Sequence, residues 1–128
     1  MTRTSAKQVV LARQFRPGPD RMLDEQPGGA IEEDEEPAEA AGRELLEETG
    51  YAGEIEIVAA TWASGGATRR RWAAVATGCE QVSAPSPDDG EFCEPVLMSV
   101  SDFRDHLRSG QLTDVDIGYL GLDHCQLL

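Results

Sequence analysis

Three glutamates at positions 44, 47 and 48 are the residues most able to do chemistry. On a helix the spacings i, i+3 and i+4 fall within an arc of roughly 100°, so Glu44, Glu47 and Glu48 share one face. Like charges at those spacings destabilise an isolated helix, and an offsetting cation is called for. Carboxylate oxygens suit a hard divalent ion, Mg²⁺ or Mn²⁺. Such an ion would let a strongly acidic site accept a small anionic ligand.

The helix that must carry these acids is bounded by its own sequence. Pro37 suits a first helical turn and Gly50 suits a left-handed cap, which predicts a helix over residues 37–49. Ahead of it, residues 7–15 read as a strand ended by Pro17-Gly18-Pro19, and residues 20–35 read as irregular. After it, residues 54–58 alternate as a strand that continues toward Trp62, and Ser64-Gly65-Gly66 is a turn. Residues 71–77 form a further strand. Residues 83–91, with two prolines, a glycine and three acids, form a surface loop. A short strand over 95–100 precedes a helix capped by Ser101, running to about residue 109 and stopped by Gly110. A last helix covers 115–127. The expectation is an α/β fold in a single domain, 1–128.

Charge narrows the partners. The net charge of the 128 residues is −13, and from Asp24 to Glu48 eleven acids stand against one basic residue, Arg43. Nucleic-acid polymers, whose phosphates require Lys and Arg, are disfavoured. Cys79, Cys93 and Cys125 fit neither a zinc pattern nor a disulfide framework, and reduced thiols in a cytoplasmic protein are the simplest reading. No signal peptide and no bilayer-spanning segment are recognisable, so no membrane partner is expected.

The stretch 29–51 resembles the Nudix box. Gly29, Glu35, Arg43, Glu44, Leu45, Glu47, Glu48, Gly50 and Tyr51 fill its fixed positions across two long fixed gaps, which is far more specific than a lone glycine-rich loop. Weaker similarity to the ADP-ribose pyrophosphatase branch lies in Val9-Val10-Leu11-Ala12-Arg13-Gln14-Phe15-Arg16-Pro17, in Glu25-Gln26-Pro27-Gly28-Gly29 and in Gly110-Gln111-Leu112-Thr113-Asp114. The resemblance implies the Nudix α/β/α sandwich with a mixed β-sheet. It also implies a metal-dependent pyrophosphohydrolase that cleaves a nucleoside diphosphate linked to another moiety, ADP-ribose or a nucleotide sugar first. A MutT-like nucleoside triphosphate pyrophosphatase and a non-catalytic nucleotide-binding module are the alternatives. The second of these usually accompanies eroded box carboxylates, and none is lost here.

By the same resemblance, Glu44 and Glu48 are metal ligands, Glu47 is a ligand or a water-orienting base, and the backbone carbonyl of Gly28 completes the set. Arg43 joins Glu47 and a loop carboxylate, Glu91 first among Asp88, Asp89, Glu91 and Glu94, in the catalytic group. Arg43 and Glu35 pair to position the loop against the helix, and Gly29 and Gly50 serve loop and cap conformations. Arg13, Arg16 and Glu25 are the expected substrate contacts. Glu32, Glu33, Asp34, Glu36 and Glu39 read as a solvated acidic surface. Arg69, Arg70 and Arg71 alternate along a strand, so at most one side of the triplet faces a site. Trp62 and Trp72 suit either base stacking or the core, and His106 and His124 carry no assigned role. The proline that the branch carries beyond the box is absent, where the chain reads Ser64-Gly65-Gly66-Ala67. The chain is expected to start at the core domain, without the N-terminal segment that builds the branch's accessory sheet and much of its dimer interface. A homodimer is therefore left open.

Overall fold

The computed structural model describes all residues, Met1–Leu128. Its elements, in order, are β1 (Thr2–Thr4), β2 (Val9–Arg16), β3 (Arg21–Glu25), α1 (Pro37–Thr49), β4 (Tyr51–Trp62), β5 (Arg70–Gln81), β6 (Cys93–Met98), α2 (Val100–Ser109) and α3 (Val115–His124). The strands form one mixed sheet in which β1 runs parallel to β5 and the other pairings are antiparallel.

Strand β2 explains the layering. Val9, Val10, Leu11 and Ala12 are all fully buried, as expected of a strand covered on both faces. Val9 and Leu11 pack with Phe103 and Leu107 of α2 and Leu122 of α3. Val10 packs on the other face with Leu45 of α1, Tyr51, Ala76 and Cys79. The expected α/β/α sandwich is the result, with α1 on one side of the sheet and α2 and α3 on the other.

The sheet also forks. Along one edge, β6 pairs with Val9 through Gln14 of β2. On the opposite edge β1 pairs with Val9 and Val10, while β3 pairs with Ala12 through Arg16. Strands β1 and β3 thus share one edge of β2 and diverge from it.

The predicted helix over 37–49 is α1. Pro37 occupies its first turn, and Gly50 ends it at φ 77°, donating its N–H to the Leu46 carbonyl at 2.8 Å. A side chain at Gly50 would strike the carbonyl of Ser83, so both its backbone conformation and the approaching loop require glycine. Four expectations need correction. Residues 21–25 form β3 rather than irregular chain, held by five register pairs with β2. Residues 2–4 form β1, unforeseen because a three-residue strand leaves no periodicity to read. The cap of α2 is Ser99, whose Oγ accepts the Asp102 N–H at 3.0 Å; Ser101 lies inside the first turn. The last helix also ends at His124.

Candidate active site

The acidic stripe of α1 faces the loop that precedes it. Glu48 is only 8% exposed, and its Oε2 accepts the Gly28 N–H at 3.2 Å. Burial pushes its carboxyl up to about 8, and the negative charge of Glu44 adds to the rise. The Gly28 amide and the Arg16 charge oppose it without reversing it. Gly29 passes so close to the Glu44 carboxylate that a Cβ there would collide with it. A side chain at this position would push the flexible Glu44 carboxylate aside rather than strike backbone.

Arg43 organises the other acids. Its Nε donates to Glu35 Oε2 at 2.8 Å, and its Nη2 donates to Glu35 Oε1 and to the Ala30 carbonyl, both at 3.0 Å. The expected supporting pair is therefore present, and bidentate. The guanidinium and the Glu32 N–H hold the Glu35 carboxyl down to about 2. The same Arg43 also donates from Nη1 to Glu44 at 2.8 Å and to Glu47 at 3.3 Å. Glu44 and Glu47 thus share the helix side with Glu48, but their carboxylates turn onto Arg43. No three acidic, His or Cys side chains converge in metal-holding geometry.

The donor chemistry nonetheless fits a hard cation. Glu44, Glu47 and Glu48 offer only oxygen, and Glu48 is a buried carboxyl whose ionised form requires positive charge beyond what Arg16 supplies. The Gly28 group in contact with Glu48 is its amide.

The remaining expected residues divide. Arg16 and Arg13 lie three apart on β2 and so on opposite faces. Arg16 lines the cavity described below. Arg13 instead forms a two-bond pair with Asp24, at 2.7 and 3.0 Å, and approaches Glu94 at 3.7 Å. The backbone of Asp24 in turn bonds His106 of α2, so Arg13 belongs to the α2 face and is removed from the expected basic pair.

Glu25 is 2% exposed, with both oxygens taken. One accepts Arg16 Nε at 3.0 Å; the other accepts the N–H and hydroxyl of Thr113, at 3.0 and 2.5 Å. It stands behind Arg16 and lines the cavity described below. Thr113 was missed as a partner because nothing local to it marks a contact 88 residues away.

The 83–91 loop is tied to the helix end. Ser86 N–H bonds the Glu47 carbonyl at 2.7 Å, and Val82 and Ser83 bond the Gly50 carbonyl. Glu91 ends this loop, its N–H bonded to the Asp88 carbonyl at 3.0 Å. Burial pushes the Cys93 thiol up to about 11, with Glu48, Glu91 and Glu44 adding to the rise and Arg16 opposing it. The sulfur's own contact is with Gln14 Oε1, at 3.8 Å.

Beside them lies a cavity of about 700 Å³, within the range of small-molecule sites. It occupies the fork between β1 and β3. Arg16, Glu25, Gly28 and Gly29 line one part; Arg69, Arg70, Arg71 and Trp72 line another. All three arginines border it, but along β5 they alternate as expected, Arg70 lying over Trp62 and Trp72 and Arg71 turning to the other face. Arg71 is held by Asp114 at 2.6 Å and Asp116 at 3.1 Å, and Gln26 bonds the Asp114 carbonyl at 3.0 Å.

An acidic helix, its glycine loop and a bidentate arginine brace stand together on the α/β/α sandwich. Residues 1–115 match the NUDIX domain, and the chain belongs to the Nudix domain family. Over 101 residues it is 38% identical to the ADP-sugar pyrophosphatase of Mus musculus, a stretch that is 73% of this chain and 46% of that protein. The chain thus spans about half the length of that relative. Its fold superimposes on a solved structure described as an ADP compounds hydrolase with a TM-score of 0.76 at 20% identity, covering 94% of this chain and 69% of the other.

Proposed function

We propose that the protein is a divalent-metal-dependent pyrophosphohydrolase that cleaves a nucleoside diphosphate linked to another moiety, with ADP-ribose or another ADP-sugar first. The observation that carries this reading is the stripe of Glu44, Glu47 and Glu48 against the Gly28–Gly29 loop, beside a cavity of about 700 Å³. The sequence likeness to an ADP-sugar pyrophosphatase supports the choice of substrate.

Glu44 and Glu48 would hold the cation, Mg²⁺ or Mn²⁺, with Glu47 beside them. The ion would place positive charge on the diphosphate oxygens, where negative charge grows as the anhydride breaks. The chain's own groups do the rest. Arg43 holds the Glu44 and Glu47 carboxylates beside Glu48, where they would be available to a cation. Glu47 or Glu91 accepts the proton of the attacking water. Arg16, steadied by Glu25, meets a phosphate oxygen. A small anionic substrate is compatible with a chain of net charge −13 only through such a cation. Unpaired thiols at Cys79, Cys93 and Cys125 support a reducing, cytoplasmic setting, and no helix is long and apolar enough to cross a membrane.

The test is a panel of ADP-ribose, ADP-sugars and nucleoside triphosphates, with Mg²⁺ or Mn²⁺, read by nucleoside monophosphate release. ADP-linked substrates are expected to turn over fastest. Turnover of triphosphates alone would replace this reading with a triphosphate pyrophosphatase.

A further inference from the structure

Trp62 and Trp72 stand on one face of the β4–β5 hairpin. Trp62 pairs across the strands with Arg70, and Ala60 with Trp72. The same face continues through Ile57 opposite Ala74 and Ile55 opposite Ala76, all four of which line the cavity. Small residues around Trp72 leave its ring uncovered: Trp72 is 43% exposed and Trp62 58%. An ordinary core aromatic would be buried. The group over both rings is the Arg70 guanidinium, 4.5 Å from the Trp62 centroid and 6.0 Å from that of Trp72. Arg70 has no carboxylate partner, whereas Arg71 has two. Its other contact is a weak 3.3 Å bond to the Thr61 carbonyl.

A flat cation lying on exposed indoles marks a surface that also accepts a flat, neutral aromatic ring. The cavity joins that surface to Gly28, Gly29 and Arg16, so a ring held there can keep a phosphate chain at the acidic helix. We propose that Trp72, with Trp62 beside it, is the stacking subsite for the planar base of the ligand, and that Arg70 covers it until the base displaces the guanidinium. This rests on the pyrophosphohydrolase reading only for the direction in which the phosphates extend.

Trp62 and Trp72 are the chain's only tryptophans, so intrinsic emission reports on this surface alone. Titration of the wild-type chain with ADP, without metal, is expected to quench that emission saturably. Titration with base-free pyrophosphate or ribose 5-phosphate is expected not to. Trp72→Leu should weaken ADP binding about tenfold, seen by calorimetry, and Trp72→Phe should recover most of that loss. Quenching by ADP supports the subsite even if no hydrolysis is ever observed. Hydrolysis of ADP-sugars with unaltered tryptophan emission overturns the subsite and leaves the reaction standing. Emission that follows protein concentration instead of ADP overturns it in favour of a contact between two copies of the chain.

Discussion

The amide of Gly28 and the carboxylate of Glu48 are joined across 3.2 Å, tying the loop ahead of α1 to the last turn of the helix. One amide does not offset the cost of burying that carboxylate, whose pKa is pushed up to about 8. At neutral pH without a cation, Glu48 is mostly protonated. The pair is a hinge point between fold and chemistry, since the loop needs the oxygen and the proposed cation needs its charge.

Glu48→Gln tests that division. The amide side chain keeps the shape and the acceptor for Gly28, so the metal-free melting midpoint should move by less than about 3 °C. Turnover should fall at least about a hundredfold. A variant of normal activity would remove Glu48 from the metal set, whereas a collapsed midpoint would make it a folding residue.

Proton and cation should compete for the same carboxyl. The folded value is raised from 4.5 to about 8. The sign follows: Glu48 contributes stability below the unfolded value, and loses it as pH rises through about 8. Metal binding must displace that proton, so apparent affinity should climb with pH and level off above about 8. Melting curves with and without Mn²⁺ at about pH 6 and about pH 9 check this. Equal metal-induced shifts at both pH values would contradict it.

Arg43→Lys retains charge and loses the planar fork that grips Glu35 twice while reaching Ala30, Glu44 and Glu47. A drop in kcat of about ten- to a hundredfold is expected. The effect should fall on kcat more than on KM, since the arginine positions acids and does not itself meet the substrate. Steady-state kinetics distinguish the two.

Glu25→Ala leaves Arg16 and Thr113 facing a buried gap. Losing one partner of such a pair should cost about 3 kcal/mol in urea unfolding, with KM raised through the freed Arg16. Glu25→Gln, which keeps the acceptor oxygen toward Thr113, should recover part of the stability and less of the KM. A purely structural role would let stability and KM recover together.

Gly29→Ala sets a methyl group against the Glu44 carboxylate. Displacing that carboxylate by about 1 Å should reduce turnover about a hundredfold with the fold retained. Circular dichroism alongside the assay separates misplacement from unfolding.

Much of this was legible along the chain, for identifiable reasons. Pro37 and Gly50 bounded α1 because both act through local backbone geometry. The Arg43–Glu35 pair was legible from the box. Strand β3 was not, because its turn-rich flanks and charged ends mask a pairing that β2 imposes from a distance. Arg13 and Arg16 looked like one basic pair until strand alternation sent them to opposite layers. The use of Glu25 by Thr113 and the bond from the Gly28 amide to Glu48 depend on tertiary contacts. No spacing rule encodes them.

The divergence of β1 and β3 from a common edge of β2 has an evolutionary corollary. The hollow is bounded by that fork and by residues of α1, β4 and β5. Replacing Arg69, Trp72 or Ile57 would alter which molecule is welcomed, yet the vestibule itself would persist. Selectivity in this scaffold is therefore free to drift at little risk to the architecture that shelters the reaction.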